Sequence, residues 1–366
     1  MATTTCIFLL GRSVVAIDYL TQGSKVIVHD DVSALACHAG HLYYACKGHL
    51  YSYRIADKTT KVIASTVGTR PNAIYIDRRG TVWVAAVNGL YTLSTKTRRL
   101  TPRLSGPYIE YIFQDSHGNI WASSRDRGCY RIASDGTITQ FSVDENTAKA
   151  ENNNAVQHNK DWRTQNHISS NSVREITEDS NGYIWIGTFL GLNRFDPTTG
   201  TFNVYIHTNN SQSISHQSVF PLVRDSEGTI WAGTYYGGVN YFTSDNDSFK
   251  FYAADINNPN CLSNPFVGHI TINKRGDIWV CTEGGGLNRI DHATHTVTYY
   301  MTGNNANSLP QNNLKDIVYE PSRDCLYIGT YMGGVSVLDI KSCKFTNLLS
   351  LSILRRRSVR AIASST

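Results

Sequence analysis

The sequence predicts an all-β fold: a single β-propeller of four-stranded blades, eight in number with seven as the alternative. Three observations point there. A ten-residue phrase returns along the chain, few charges accompany many aromatics and glycines, and no stretch keeps a helical period. The phrase reads DSNGYIWIGT at 179–188 and DSEGTIWAGT at 225–234, with relatives at 77–86, 115–124 and 273–282. Weaker copies are PSRDCLYIGT at 321–330 and HAGHLYYACK at 38–47. The central aromatic falls at Tyr44, Trp83, Trp121, Trp185, Trp231, Trp279 and Tyr327, at spacings of 39, 38, 64, 46, 48 and 48. A period of ~40–48 residues with several short strands per unit is the mark of propeller blades.

Composition agrees. Charged residues make up 17% and aromatics 11%, with 28 Gly and 9 Pro in 366 residues. That balance excludes a disordered chain or a coiled coil. A net charge of +5 is modest for this length and does not supply the basic stripe of a nucleic-acid binder, so no nucleic-acid partner is expected. Closed β architectures exceed the usual domain size, so residues 1–366 are expected to form one domain.

Each unit reads as four strands. In the clearest copy, strand a is 173–178, strand b is 183–188, strand c is 192–196 and strand d is 201–206. The a–b turn ends in a glycine that takes a left-handed backbone cheaply. Strand b is apolar at consecutive positions (Ile184, Trp185, Ile186), as expected of a strand covered on both faces. Helices are not expected, because no segment keeps a 3.6-residue period.

The first unit is split. Residues 6–18 align with 42–54, placing Phe8 at the aromatic position without a preceding strand a. SVRAI at 358–362 resembles the strand a segment VREI at 173–176. The C-terminal strand is therefore expected beside the N-terminal strands, closing the propeller and covering otherwise exposed sheet edges.

The 64-residue gap holds a polar insertion at about 143–172, with Trp162 as the one Trp outside a repeat centre. A loop of that length is commonly functional or disordered. It is read either as an insertion without a ligand role or as a flap whose Trp162 stacks on a ligand or anchors the loop.

Propeller topology puts the a–b turns on one face and the b–c turns with the d–a linkers on the other. The a–b turns are short and alike, hence structural. The b–c turns are individual and carry Arg125, Arg127, Phe189, Tyr235, Tyr236, Glu283 and Tyr331. Aromatic faces beside polar groups in a concavity suit a sugar-like ligand, so these seven and Trp162 are the candidate ligand residues.

Several chemistries find no motif here. No catalytic triad order, paired-carboxylate motif, HExxH or phosphate loop emerges, so no catalytic residue and no cofactor are assigned. The 12 His are scattered and the eight Cys contain no CxxC, so no metal site is assigned. Cys37 with Cys46, or Cys325 with Cys343, would pair only if neighbouring strands align them. DNDS at 245–248 lacks the ligands of a calcium loop and reads as a hairpin turn. Arg355–Arg357 reads as a solvated basic run. The apolar run Cys6–Leu10 is too short for a membrane span or a secretory leader.

The pattern D-x-x-G-x-[IL]-W-[IVA]-G-T-x-x-G-G-[LV]-x-[RY]-[FI] resembles the two-component regulator propeller repeat over about 40–345, most closely over 173–302. The resemblance implies a periplasmic sensor of a hybrid two-component system that reads an oligosaccharide or similar nutrient, has no catalysis of its own, and signals through membrane and kinase segments. Sensor dimerisation belongs to the same expectation. This chain departs from the full pattern: it has one set of repeats rather than two, and no β-sandwich, membrane helix or kinase motif. Two other readings stay open. Propeller lyases of the streptogramin-lyase type use similar repeats with a metal and a His, and scaffold propellers bind peptides.

Overall fold

The computed structural model describes residues 5–10, 12–18, 24–29, 31–94, 96–157, 162–243, 247–255, 257–305, 307–348 and 359–363. Arg355–Arg357 and part of the 245–248 turn lie outside them. The described residues form eight antiparallel sheets, the blades of a β-propeller.

Blade one is Val32–His38, His41–Cys46, His49–Arg54 and Thr59–Ser65. Blade two is Pro71–Ile76, Val82–Ala86, Gly89–Ser94 and Arg99–Ser105. Blade three is Ile109–Gln114, Ile120–Ser124, Cys129–Ile132 and Ile138–Phe141. Blade four is Val173–Glu178, Ile184–Thr188, Gly191–Asp196 and Thr201–Tyr205, with Trp162–Gln165 added outside the last. Blade five is Val219–Arg224, Ile230–Thr234, Val239–Thr243 and Ser248–Tyr252. Blade six is Val267–Ile272, Ile278–Thr282, Gly286–Ile290 and Val297–Tyr300. Blade seven is Leu314–Glu320, Cys325–Thr330, Val335–Asp339 and Lys344–Asn347. The eighth sheet is split: Val359–Ala363 pairs with Thr5–Leu10, followed by Ser13–Asp18 and Ser24–Val28. The chain ends therefore share one blade, as the SVRAI segment predicts.

The backbone divides into two compact units, Met1–Ser105 with Thr271–Thr366, and Gly106–Ile270. In each, the core lies between successive blades. In the second unit, Trp121, Ile184, Phe195 and Phe202 form one cluster between blades three and four, and Trp185, Leu192, Tyr205 and Phe249 another between four and five. In the first, Trp279, Leu314 and Ile328 join blades six and seven, and Leu50, Ile74 and Val84 join one and two. The b strands of blades two to seven are buried at every position, which explains their unbroken apolar runs.

The repeated Asp-x-x-Gly-x-x-Trp is one device. Asp179 Oδ1 accepts the backbone N–H of Asn181 and Tyr183, shaping the a–b turn, while Oδ2 accepts Trp185 Nε1 at 2.7 Å. Asp77, Asp115 and Asp225 hold Trp83, Trp121 and Trp231 the same way, at 2.9, 2.9 and 2.8 Å. The turn and the neighbouring core residue are thus fixed by one carboxylate. At Asp77, burial pushes the carboxyl up, but the bonds from Trp83, Thr81 and Arg79 outweigh it and hold it below its usual value.

Two expectations are corrected. The insertion at about 143–172 contains a helix, Glu145–Gln157, where none is expected. Asp144 caps it, accepting the Thr147 N–H at 2.9 Å. The segment ENTAKAENNNAVQ carries almost no apolar stripe, so periodicity could not show it. The same insertion supplies Trp162–Gln165, making blade four five-stranded rather than four-stranded. The condition set for a disulfide is not met, and neither Cys37–Cys46 nor Cys325–Cys343 forms one. The register sets Cys37 opposite Leu42 and Cys46 opposite Val32.

Candidate functional site

The b–c turns are pinned by backbone bonds that recur from blade to blade. The first residue after strand b donates its N–H to the carbonyl just before strand a. Arg125 donates to Tyr108 (3.2 Å), Phe189 to Ser172 (3.1 Å), Tyr235 to Ser218 (3.0 Å) and Tyr331 to Asn313 (2.9 Å). In blades three, five and six the far side of the turn is also tied to the following linker: Gly128 N–H to Asn171, Gly238 N–H to Pro265, and Gly286 N–H to Asn312. Within each unit the b–c turns and d–a linkers therefore share a surface, as topology requires. Their side chains project from a fixed backbone.

In the second unit this surface is aromatic. Tyr235, Tyr236 and Phe189 are 64%, 59% and 52% exposed, unusual for large rings beside fully buried Trp121 and Trp185. Phe266, just ahead of blade six, meets Tyr235 and Tyr236 edge-on, with ring centroids 5.2 and 4.9 Å away. His216 lies 6.4 Å from Tyr235, and its Nδ1 accepts the Ser218 N–H at 3.1 Å. Burial, then the nearby His207, push the His216 pKa below its ordinary value. The Arg125 guanidinium sits 5.7 Å from the Tyr108 ring centroid. Arg127 is exposed, with its carbonyl accepting Gln140 Nε2. Trp162 opens the added strand of blade four, but its side chain lies outside what the structure describes.

In the first unit, Glu283 and Tyr331 meet through a third residue. Lys315 Nζ lies 2.6 Å from Glu283 Oε1 and 5.6 Å from the Tyr331 ring centroid. The Glu283 carboxylate already has its cation. Phe266, Lys315 and Tyr108 are site residues that sequence reasoning missed. Each stands within two residues of the start of strand a, a position the repeat alignment could have flagged.

The chain is, by fold, a repeat propeller whose b–c turns are pinned by recurring backbone bonds. Residues 167–189 match the two component regulator propeller repeat, so the chain carries that repeat. It is similar to the extracellular domain of a putative one component system from B. thetaiotaomicron, at 17% identity and a TM-score of 0.47, covering 92% of this chain and 52% of that one. It is also similar to a virginiamycin B lyase from Staphylococcus aureus (12% identity, TM-score 0.52, 81% and 91% covered). A third likeness is to a dihydro-heme d1 dehydrogenase (9% identity, TM-score 0.64, 98% and 74% covered). Such identities bear on the fold alone. The chain spans about half the length of the B. thetaiotaomicron extracellular domains it resembles. No protein of curated function matches it. Among the described residues, no helix is long and apolar enough to cross a membrane.

Proposed function

We propose that this chain is the extracytoplasmic ligand-sensing propeller of a two-component signalling system, working in the periplasm and without catalysis of its own. The ligand in this reading is an oligosaccharide or similar small nutrient, gripped by the b–c loop surface, and the output passes to segments outside this sequence, with sensor dimerisation as one route. One observation carries the reading: the large exposed rings of Phe189, Tyr235 and Tyr236 stand on turns pinned by backbone bonds, Phe189 to Ser172 and the Tyr235–Tyr236 turn to Ser218 and Pro265. Rings held out in water cost apolar exposure that a ligand would relieve, and a fixed platform loses little entropy on binding. The repeat match supplies the signalling context.

The test is calorimetric titration of the purified chain against a panel of neutral and acidic oligosaccharides. A binder should lose at least about tenfold in affinity, about 1.4 kcal/mol, in Tyr235→Ala/Tyr236→Ala. The melting temperature should stay unchanged, since both rings are exposed. A panel without a binder, or a binder indifferent to the double substitution, would sink the reading.

A further inference from the structure

The first unit holds a recess lined by none of the exposed aromatic residues. A cavity of about 300 Å3 opens where the b–c turn of blade one meets the linkers before blades one and two. Ala45, Cys46, Thr66 and Pro71 form its buried floor, and Ser33 adds a hydroxyl-bearing side chain. Its rim holds three cations, Arg12, Lys47 and Arg70, against one acid, Asp31.

Arg12 Nη1 and Asp31 stand 3.5 Å apart, both side chains about half exposed, so that pair is largely screened. Among the described residues, no carboxylate pairs with Lys47 or Arg70. Among the described residues, two cations thus line the cavity without a carboxylate partner. All three sit on held backbone. The Arg12 carbonyl accepts Val32 N–H at 3.0 Å and the Arg70 carbonyl accepts Val87 N–H at 3.1 Å. Lys47 and Gly48 form a tight turn with φ of 46° and 76°, and the Gly48 carbonyl accepts Thr66 N–H at 2.8 Å. The charges reach the floor as well. Burial pushes the Cys46 thiol up, the Asp31 charge adds to that, and Lys47 opposes it.

We propose that this cavity binds an oxyanion: the carboxylate, sulfate or phosphate of a small ligand. Guanidinium and ammonium groups converging on one concavity, with hydroxyl-bearing residues between them, match several oxygens of one anion. The volume suits a group of monosaccharide size. The site is independent of the aromatic turns, so either can fail alone.

Titration of the whole chain with sodium phosphate, sodium sulfate, sodium glucuronate and neutral glucose, at low ionic strength, tests it. At least one oxyanion should saturate while glucose does not, and the arm that saturates identifies the source. Arg70→Gln and Lys47→Gln should each weaken that anion about tenfold, and Asp31→Asn should tighten it several-fold. A gain of affinity in Asp31→Asn cannot come from misfolding. The proposal is overturned if no oxyanion saturates, if glucose binds equally well, or if the three substitutions leave the affinity unchanged.

Discussion

Trp279 is the exception among the repeat tryptophans. Asn273 stands where the other turns have Asp, and the Trp279 indole N–H has no partner among the described residues. The Asn273 amide donates instead to Asp277 Oδ2 at 3.0 Å, and that carboxylate is also held by Arg289. A carboxylate at 273 would reach Trp279 but would face Asp277. Asn273→Asp alone is therefore expected to destabilise by roughly 1–3 kcal/mol, from like-charge crowding. The N273D/D277N pair should recover that loss, and denaturant unfolding of the three chains checks it. The second residue-level test is a titration. Burial and then the nearby His207 disfavour the charged His216 imidazole in the fold, so the unfolded chain takes up its proton first as pH falls through the ordinary value of 6.5. Its contribution is complete above that pH and is lost below it. Between about pH 7 and 5 the unfolding midpoint should drop more steeply in the natural chain than in His216→Asn, which keeps an acceptor for Ser218.

Strand b shows why the repeat asks for a small residue two places after the tryptophan. A methyl at Gly233 would meet Pro221 Cδ at 2.5 Å and Val267 Cγ1 at 2.7 Å, and one at Gly187 would meet the Val219 carbonyl at 2.9 Å. Strand a of the next blade passes directly over this point. Blade six uses Cys281 there, its Sγ 3.8 Å from the Asp316 carbonyl on the next strand a. Gly233→Ala should cost roughly 1–3 kcal/mol by overpacking, read as a shift in unfolding midpoint. The four repeat strands of each blade were legible: Val173–Glu178 lies where the repeat puts it, because turn glycine and apolar run are both encoded nearby, whereas the added strand Trp162–Gln165 was not. The helix Glu145–Gln157 was not, since its sequence has no apolar face to read. Nor were the pairings of Tyr236 with Phe266 or of Glu283 with Lys315. The positions of Phe266 and Lys315 at the start of strand a were open to alignment, but which side chain each meets depends on how one blade packs on the next.

The split blade ties the two chain ends together, Ile7 facing Ala363 and Leu10 facing Val359 in an antiparallel ladder. The strand Val359–Ala363 also lies against blade seven on one side and blade one on the other. Deleting residues 359–366 should lower the melting temperature by several degrees and promote association through the bared edge of Thr5–Leu10. Scanning calorimetry and light scattering would show both, and a truncated chain that melts normally as a monomer would refute this. The closure was legible because strand a carries its own signature. The ladder also has a mechanical meaning. Thr5 and Ala363 leave the same end of it, so a pull applied through both termini loads the bonds singly, as a zipper opens, rather than all at once in shear. Such a seam yields to small tension, whereas a twist or tilt of the whole body leaves it unloaded. A partner fused at both ends would therefore pull on this ladder one bonded pair at a time, starting from Ile7 and Ala363.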